Sequence, residues 1–347
     1  MLLRNKVRRI LYPVIIIAVI PCLIVIFYSV NKYRPLKNEV IYYSEINHEL
    51  PETLEILKWN IGYAGLDENM DFFYEGGKQV RPERERSMEN LSEIIIYLSK
   101  CDADIILLQE VDIYSKRSYR INQFELISGI LSDYRSLFAF NFSNPFIPIP
   151  LKNPIGRVES GLALFSKYEP FLAVRHSLPL KKSSFPMNFF DFNRCVLSCT
   201  YYLGNEKYFT VYNIHNSAYE DLGHRKRELD YIRDSLIPSG TNSFAIGGDW
   251  NQNPTGYSQS YKEKNNKYFR PGLLESDFSE HIGKIHYDPE KPTARYLYEP
   301  YNENTTTTLI DFFMASEDVE CLDIKTDDLG FRNSDHNPVL INIRIKK

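Results

Sequence analysis

Short apolar runs alternate with amphipathic segments along most of the 347-residue chain. Runs of roughly four to eight residues rich in Val, Ile, Leu and Phe are typical of buried strands. The strands predicted in this way are LEILKWN (54–60), ADIILLQEVD (103–112), SGLALFSK (160–167), NRCVLSCTYYL (193–203), KYFTVYNIHN (207–216), SFAIGGDWN (243–251), TTTTLIDFFMAS (305–316) and NPVLINIRI (337–345).

Two further segments place apolar residues at the spacing of an α-helix. They are RPERERSMENLSEIIIYLSK (81–100), with Pro82 at its start, and LGHRKRELDYIRDSLI (222–237). Proline suits the first turn of a helix because the first amide groups need no partner within the helix. Interleaved strands and helices predict an α/β protein. The predicted apolar faces are Met88, Leu91, Ile95 and Leu98 in the first helix and Leu222, Leu229, Ile232 and Leu236 in the second.

The N-terminal part of the chain differs from the rest. Residues 10–30 (ILYPVIIIAVIPCLIVIFYSV) hold no charged residue over 21 positions, a length that crosses a bilayer as a helix. The basic residues 1–9 before this run predict a cytoplasmic N-terminus. A cleaved signal peptide is the alternative, although the apolar run is longer than usual and no small-residue cleavage site follows it. A lipoprotein signal is the weakest interpretation, because Cys22 follows a proline in mid-run. In each case we expect a linker at 31–52 and a single large domain at 53–347 outside the cytoplasm.

Charge and cysteine content limit the partners that the domain can bind and the roles that its cysteines can take. Residues 1–37 hold seven Lys/Arg and no acid, which leaves 34 basic and 45 acidic residues, a net charge of −11, in the remainder. Passive binding to nucleic acid is therefore disfavoured, and a polyanionic substrate would need a cation at its binding site. The five cysteines show no metal-binding spacing. Cys195 and Cys199 lie on one predicted strand roughly 13 Å apart, too far to bond to each other. For Cys101 and Cys321, a disulfide is an alternative to buried thiols.

Polar side chains stand where the predicted strands end or begin. Each alone has an ordinary interpretation: a turn-forming Asp or Asn, a solvated strand end or a surface histidine. If only these ordinary roles applied, a polar residue would stand at a strand end by coincidence in six separate segments. Strand ends that share one edge of a sheet meet at one rim, so we expect these side chains to form one pocket. The positions are Asn60, Glu110, His215, Asp249, Asn251, Asp311, Asp335 and His336.

Six segments resemble the motifs of a known family in their residues and in their order along the chain. The segments are WNIG (59–62), LLQEVD (107–112), NIHN (213–216), GGDWN (247–251), LIDFF (309–313) and SDHNPV (334–339). Over about residues 53–345 the chain resembles the endonuclease/exonuclease/phosphatase superfamily, which includes DNase I-like nucleases, apurinic endonucleases, sphingomyelinases and inositol polyphosphate phosphatases. The resemblance implies a four-layer α/β sandwich, in which two packed mixed β-sheets are flanked by helices.

The resemblance also implies a metal site and a residue that activates water. Glu110 resembles the principal metal carboxylate of the family, with Asn60 and Asp335 beside it. Hard oxygen ligands of this kind suit Mg²⁺, with Mn²⁺ or Ca²⁺ as alternatives. Asp249 matches the residue that orients or deprotonates the attacking water. Asn251, two residues on, would lie on the same side of an extended segment and donate to a phosphate oxygen.

The histidines and arginines take the remaining implied roles. His336 matches a family histidine that pairs with an aspartate, here Asp311, which would hold its tautomer and favour its charged form. His215 stands where members contact phosphate or assist the leaving oxygen, and Asn216 beside it is a candidate substrate ligand. Two arginines that precede strands, Arg157 and Arg194, would grip a phosphate bidentately, or they are ordinary surface ion-pair residues.

Two long loops are expected beside the pocket. Residues 60–86 form a wall of the pocket or an ordinary Ω-loop. Residues 138–156, with their aromatic and Pro-Ile repeats, pack over the sheet edge, or on a membrane-tethered enzyme contact lipid or bases.

The resemblance implies a divalent-metal-dependent phosphoester hydrolase in which water attacks phosphorus with inversion. A phosphodiesterase that acts on nucleic acid or on a phospholipid head group is favoured, by analogy with extracytoplasmic members. The alternatives are a phosphomonoesterase of inositol or sugar phosphates and a non-catalytic phosphate-binding module. Apart from the substrate and the membrane, the sequence indicates no partner.

Overall fold

The structure, a computed structural model, describes residues 19–45, 48–181, 183–219, 223–237 and 243–346. The predicted cytoplasmic segment 1–9, the first part of the predicted span (10–18) and Leu222 lie outside these ranges. The first helix, α1, includes residues 19–31. Within the described ranges, no helix combines the length and the apolar character that crossing a membrane requires.

The strands form two large sheets and one small one. The seven-stranded sheet has the order β1-β6-β7-β8-β9-β13-β10, the six-stranded sheet has the order β14-β15-β2-β3-β5-β4, and β11 pairs with β12. The pairs β2–β3 and β8–β9 are parallel and the others are antiparallel, so both large sheets are mixed. The strands are β1 (Asn38–Tyr43), β2 (Thr53–Asn60), β3 (Ile105–Asp112), β4 (Arg135–Ile147), β5 (Gly156–Ser166), β6 (Leu172–Ser177), β7 (Cys195–Gly204), β8 (Lys207–His215), β9 (Ser243–Asp249), β10 (Lys284–His286), β11 (Ala294–Arg295), β12 (Thr307–Thr308), β13 (Asp311–Ala315), β14 (Val319–Thr326) and β15 (Val339–Ile345).

Helices cover the outer faces of the two sheets. Short 3₁₀ turns also occur, at Gly62–Ala64, Phe73–Glu75, Lys116–Ser118 and Met187–Phe190. The helices after α1 are α2 (Arg84–Lys100), α3 (Gln123–Ile130), α4 (His224–Tyr231), which continues into a π-helical turn (Ile232–Leu236), α5 (Tyr261–Asn265) and α6 (Ser276–Ile282).

Three apolar clusters hold the layers together. The inner faces of the two sheets pack against each other, with Leu107 of β3 and Phe313 of β13 in the same cluster. The outer face of the six-stranded sheet packs against α2 and α3, and that of the seven-stranded sheet packs against α4 and α6. Because a central strand such as β3 is buried on both faces, its sequence is a continuous apolar run. The predicted fold, two packed mixed sheets flanked by helices, is confirmed.

The structure contains elements that the sequence pattern did not predict, among them β6, β14 and α3, and it differs from the prediction at three further points. Asn38–Tyr43, inside the predicted linker, forms β1 and pairs with β6. Arg135–Ile147 is a strand where a long loop was expected, and its register shifts explain why the alternation of its sequence is broken. In α2, Met88 is exposed and Ile94 is buried instead, because the stripe that faces the sheet contains Ser87, Leu91, Ile94 and Leu98.

Candidate active site

The parallel strand pairs deliver polar residues to one edge of the sandwich. β2 and β3 run side by side and end near Asn60 and Glu110. β8 and β9 do the same in the other sheet, where His215 lies opposite Asp249. β13 runs antiparallel to β9 and begins at Asp311, which also lies opposite Asp249. The expected rim of strand ends is therefore present.

Asp249 lies at the centre of the resulting contacts and is almost fully buried. Its Oδ2 accepts a hydrogen bond from Asn60 Nδ2 at 3.0 Å and lies 3.5 Å from His215 Nε2. Its Oδ1 accepts from the backbone N–H of Asn251 at 2.9 Å. That last bond is the turn-forming contact an aspartate makes two residues on. The turn-forming interpretation of Asp249 is therefore correct, and the same carboxylate contacts Asn60, another of the predicted site residues.

Two glycines allow β9 to reach this position. A Cβ on Gly248, whose φ is +154°, would collide with the backbone carbonyl of Ile214 on β8. A Cβ on Gly247 would collide with the ring of Phe313 and crowd Leu107 of the facing sheet. The GGD sequence thus brings β9 close to β8, to β13 and to the opposite sheet.

A buried chain of charged groups runs from His336 to Lys58. His336 Nδ1 lies 2.8 Å from Asp311 Oδ2, and Lys58 Nζ donates to the other oxygen, Asp311 Oδ1. His336 Nε2 lies 3.8 Å from Asp249 Oδ2 and 3.9 Å from Asp335 Oδ2. The predicted His336–Asp311 pair is thus present, and Lys58 extends it.

The same contacts shift the ionisation of these groups. Burial opposes a charged His336, but Asp311, Asp335 and Asp249 outweigh it and raise the pKa of His336 to about 10. Burial also acts on Asp311, yet His336 and Lys58 hold its pKa below the usual value. Burial raises the pKa of Asp249, although the charge of His336 opposes the shift. The site thus combines an imidazolium with an aspartate whose proton affinity is increased.

His215 has the opposite character to His336. Complete burial and the positive charges of Arg194 and His336 hold the pKa of His215 well below its usual value. Its imidazole is therefore neutral at physiological pH. Of the two histidines near Asp249, His336 is thus a cation and His215 is a neutral donor or acceptor.

Glu110 is positioned by a bulge in β3. The register with β5 shifts between Leu108 and Val111, and Glu110 adopts a φ of +56°. Bulges redirect side chains, and strained backbone is often found at functional sites. The Glu110 side chain is 22% exposed and lies 3.5 Å from Arg117 Nη2. Arg117 is held by two 3.0 Å bonds to Asp112.

The donor set around Glu110 suits a hard divalent cation. Burial raises the pKa of Asp335 to about 7, and the charge of Glu110 contributes to the shift. A buried carboxylate whose charge is disfavoured by burial and by a second carboxylate is an environment that a bound cation stabilises. A second group, Asp249, Asp311 and His336, has its ligand atoms within 4.8 Å of one another. Both oxygens of Asp311 are already occupied, so Glu110 and Asp335 are the better metal ligands.

Asn60 differs from its predicted role as a metal ligand. Its Oδ1 accepts from the backbone N–H of Gly62 at 3.0 Å. This bond turns Nδ2 towards Asp249, Glu110 and His336, at 3.0, 3.5 and 3.4 Å. Asn60 therefore donates to Asp249, and its oxygen is engaged by the Gly62 amide.

Several buried polar atoms beside Asp249 lack a partner among the described residues. They include both side-chain atoms of Asn216 and the Nδ1 atom of His215. Asn251 Nδ2, which is predicted to donate to a phosphate oxygen, donates to the Asn216 backbone carbonyl at 2.9 Å. Buried polar groups are normally paired, so the unpaired atoms of Asn216 and His215 can each still bond to a water molecule or to a polar ligand.

The two predicted arginines have different positions. Arg194 is buried and its Nη1 donates to the His215 carbonyl at 3.0 Å, so it lies at the site. Arg157 is 60% exposed and pairs with Glu159 at 2.5 Å. Of the two interpretations left open for Arg157, the surface ion pair is the one observed.

Two residues of the site were missed in the sequence. Lys58 lies two residues before Asn60 on β2 and so shares its face. A lysine within an apolar strand was a usable signal, since lysine is rarely buried without a partner. Arg117 lies in an irregular segment after β3, and no local pattern distinguishes it.

Comparisons with known proteins agree with this geometry. The model of the Endonuclease/Exonuclease/phosphatase family matches residues 59–336. An endonuclease/exonuclease/phosphatase from Beutenbergia cavernae is similar in structure, with a TM-score of 0.57 and 16% identity over 85% of this chain and 72% of that one. A family protein from Leptotrichia buccalis has a TM-score of 0.52 and 14% identity over 84% of this chain and 100% of that one.

No curated protein matches the chain. The family model nevertheless spans most of the chain and both ends of the site, from Trp59 to His336. The chain therefore belongs to the endonuclease/exonuclease/phosphatase family.

Proposed function

We propose that this protein is a divalent-metal-dependent phosphodiesterase. Members of its family are hydrolases of phosphoesters and include nucleases, phosphodiesterases and phosphatases, and they commonly use divalent metals. The observation that carries the proposal is that charged His336 and neutral His215 each place Nε2 within 4 Å of the Asp249 carboxylate. Such a set provides a base, a cation and a neutral donor at one point.

Asp249 is assigned to the attacking water. Burial raises its pKa, which improves a carboxylate as a general base. Asn60 and the backbone of Asn251 hold its two oxygens in place. A fixed carboxylate of this kind orients water for attack on phosphorus, opposite the leaving oxygen.

His336 and His215 are assigned to the phosphoryl oxygens. The positive charge of His336, maintained by Asp311, stabilises the negative charge that develops as phosphorus becomes five-coordinate. His215 is neutral and donates a hydrogen bond to a phosphoryl or leaving oxygen. Asn216 and Arg194 are assigned to the substrate phosphate, since Asn216 has unpaired amide atoms and Arg194 adjoins His215.

Glu110 and Asp335 are the residues that would hold the cation. We propose Mg²⁺, with Mn²⁺ or Ca²⁺ as alternatives, because both ligands are hard oxygen donors. The cation would act as a Lewis acid on the phosphate and offset the acidity of the domain. Arg117, anchored on Asp112, would keep Glu110 in position.

The experiment that tests the function compares bis-p-nitrophenyl phosphate with p-nitrophenyl phosphate, each with Mg²⁺ and with excess chelator. The proposal expects Mg²⁺-dependent hydrolysis with a preference for the diester. A strong preference for the monoester would favour a phosphomonoesterase of inositol or sugar phosphates. Tight phosphate binding with no turnover of either ester would favour a non-catalytic binding module. A panel of DNA, RNA, sphingomyelin and phosphoinositides then identifies the natural substrate class.

We also propose that the catalytic domain acts outside the cytoplasm. The support is the sequence alone: an uncharged run at 10–30 preceded by a basic segment, the arrangement that keeps an N-terminus in the cytoplasm. Protease added to intact cells should digest the domain. Protection of the domain until the cells are lysed would contradict this orientation.

A further inference from the structure

Exposed apolar side chains are concentrated on three segments of the described chain. Of the 28 large apolar side chains that are exposed within the described ranges, 14 lie on α1, on residues 145–151 or on residues 180–192. Large exposed apolar patches mark interaction sites. We call these three segments the apolar surface; beyond α1, its most exposed side chains are Leu151, Phe185, Met187, Leu180 and Phe192.

The three segments contact one another. Tyr28 of α1 stacks on Phe189, with ring centroids 5.2 Å apart, and its hydroxyl donates to the Phe146 carbonyl at 2.5 Å. Lys32, one residue after α1, donates to the Asn188 carbonyl at 2.9 Å. Asn144 Nδ2 donates to the Phe189 carbonyl at 2.8 Å. The apolar side chains therefore belong to one surface rather than to three separate segments.

The apolar surface adjoins the active-site edge of the sandwich. The Arg194 guanidinium lies over the Phe192 ring, 4.7 Å from its centroid, and the same guanidinium bonds to the His215 carbonyl. β7 begins at Cys195, so the segment that precedes it lies where β8 ends at His215. A partner bound to the apolar surface would thus lie next to the site.

The charge around this surface is the reverse of that of the domain. Lys32, Arg34 and Lys37 line a cavity of about 380 Å³ between the end of α1 and residues 177–180. Lys152 directly follows residues 145–151, and Lys181 lies within residues 180–192. The single acid within the three segments is Asp191, whose carboxylate accepts from Ser183 Oγ at 2.6 Å. Everything after residue 37 carries a net charge of −11, so a basic margin here favours an anionic partner.

We propose that the apolar surface docks on an anionic phospholipid membrane. Apolar side chains bordered by Lys and Arg suit the head-group region of a bilayer. The chain leaves α1 towards residues 10–18, which are uncharged and almost wholly apolar. A second copy of the chain fits less well, because two basic margins would face each other.

The docking does not depend on the proposed function, but one consequence does. If membrane lipid lies beside the site of a phosphodiesterase, phospholipid head groups become the favoured substrate class over nucleic acid. That step rests on the proposed function and is tested separately below.

The docking is tested with the full chain reconstituted in vesicles of phosphatidylcholine and phosphatidylserine, with chelator present. Both native tryptophans are fully buried, so an added tryptophan reports its own surroundings. Phe185→Trp and Leu151→Trp probe the apolar surface, and Ile130→Trp, exposed at the opposite edge beside the start of β4, is the matched control. Brominated acyl chains should quench the first two and leave Ile130→Trp at the wild-type level.

Equal quenching of all three variants, or none at Phe185→Trp and Leu151→Trp, would overturn the proposal. If Phe185→Trp and Leu151→Trp were shielded from solvent only at high protein concentration, the surface would bind a second copy of the chain. That result would also overturn the membrane proposal. For the substrate, the double variant Phe185→Ser/Met187→Ser should hydrolyse vesicle phospholipid at least several-fold more slowly than wild type and leave bis-p-nitrophenyl phosphate turnover unchanged. If the wild-type protein hydrolyses neither vesicle phospholipid nor bis-p-nitrophenyl phosphate, the proposed function is wrong. The quenching result still decides the docking in that case.

Discussion

Lys58 and Asp311 form an ion pair in which neither side chain has any exposure to solvent. Lys58 belongs to β2 of the six-stranded sheet, and Asp311 begins β13 of the seven-stranded sheet. The second oxygen of Asp311 bonds to His336, so one aspartate joins a lysine and a histidine. The pair therefore links the two sheets and sets the charge of the site at the same place.

Loss of Lys58 should destabilise the fold. Lys58→Met leaves Asp311 buried with a single partner, and removal of one member of a buried pair typically costs about 3–5 kcal/mol. The free energy of unfolding, measured by urea denaturation, should fall by an amount in that range. In the double variant Lys58→Met/Asp311→Asn the buried charge is also removed, so the loss should be smaller than the sum of the single losses. Strict additivity would show that the two residues act independently.

The charge of His336 predicts a pH dependence of stability. The pKa of His336 is about 10 in the fold, against 6.5 for an unperturbed histidine. A raised pKa adds stability that is fully present below about pH 6.5 and is lost as the pH rises towards 10. The free energy of unfolding of the metal-free protein should therefore decline across this window.

Other groups titrate in the same range, so the test needs a matched variant. Burial raises the pKa values of Cys195 and Cys199 to about 11 and 12, and ionisation of these thiols in the unfolded chain also lowers stability at high pH. Asp311→Asn removes the first of the carboxylates that raise the pKa of His336 and leaves both thiols intact. The decline between pH 6.5 and 10 should be shallower in this variant. An identical pH profile would mean that Asp311 does not hold the charge of His336.

Glu110 predicts a specific response to metal. Mg²⁺ should raise the Tm of the wild-type chain, since a ligand at 100 times its Kd stabilises by about 2.7 kcal/mol. Glu110→Gln should lose this rise, whereas Glu93→Gln, an exposed glutamate on α2, should keep it. Because the pKa of Asp335 is about 7, the apparent Mg²⁺ affinity should increase from pH 6 to pH 8 as this carboxyl ionises. A Tm rise that survives in Glu110→Gln would place the metal elsewhere.

The sequence predicted which residues gather at the site better than it predicted the hydrogen bonds that orient them. Asn60, Glu110, His215 and Asp249 each end an apolar run, and parallel pairing necessarily collects such ends at one edge. The precise contacts were less accessible. Asn60 was expected to bind metal, but the Gly62 amide fixes its orientation, and that bond depends on a turn with positive φ at Gly62.

Edge strands and buried cations account for most of what the sequence did not predict. β1 is an edge strand whose residues are exposed or half-buried, so it lacks the apolar run that marks a central strand. β4 contains Pro145 and irregular register, which broke the pattern used to recognise strands. Lys58 is buried because Asp311 lies beside it, and a partner 253 positions away is not visible in a local sequence pattern.

The most direct measurement is the rate of phosphodiester hydrolysis by Asp249→Asn in the presence of Mg²⁺. If Asp249 activates water, the variant should lose about 10²–10⁴-fold in turnover while it keeps the Mg²⁺-dependent rise in Tm. Asp133→Asn, an exposed aspartate outside the site, should retain wild-type turnover. Turnover of Asp249→Asn at the wild-type rate would contradict the assignment of this cluster as the catalytic centre.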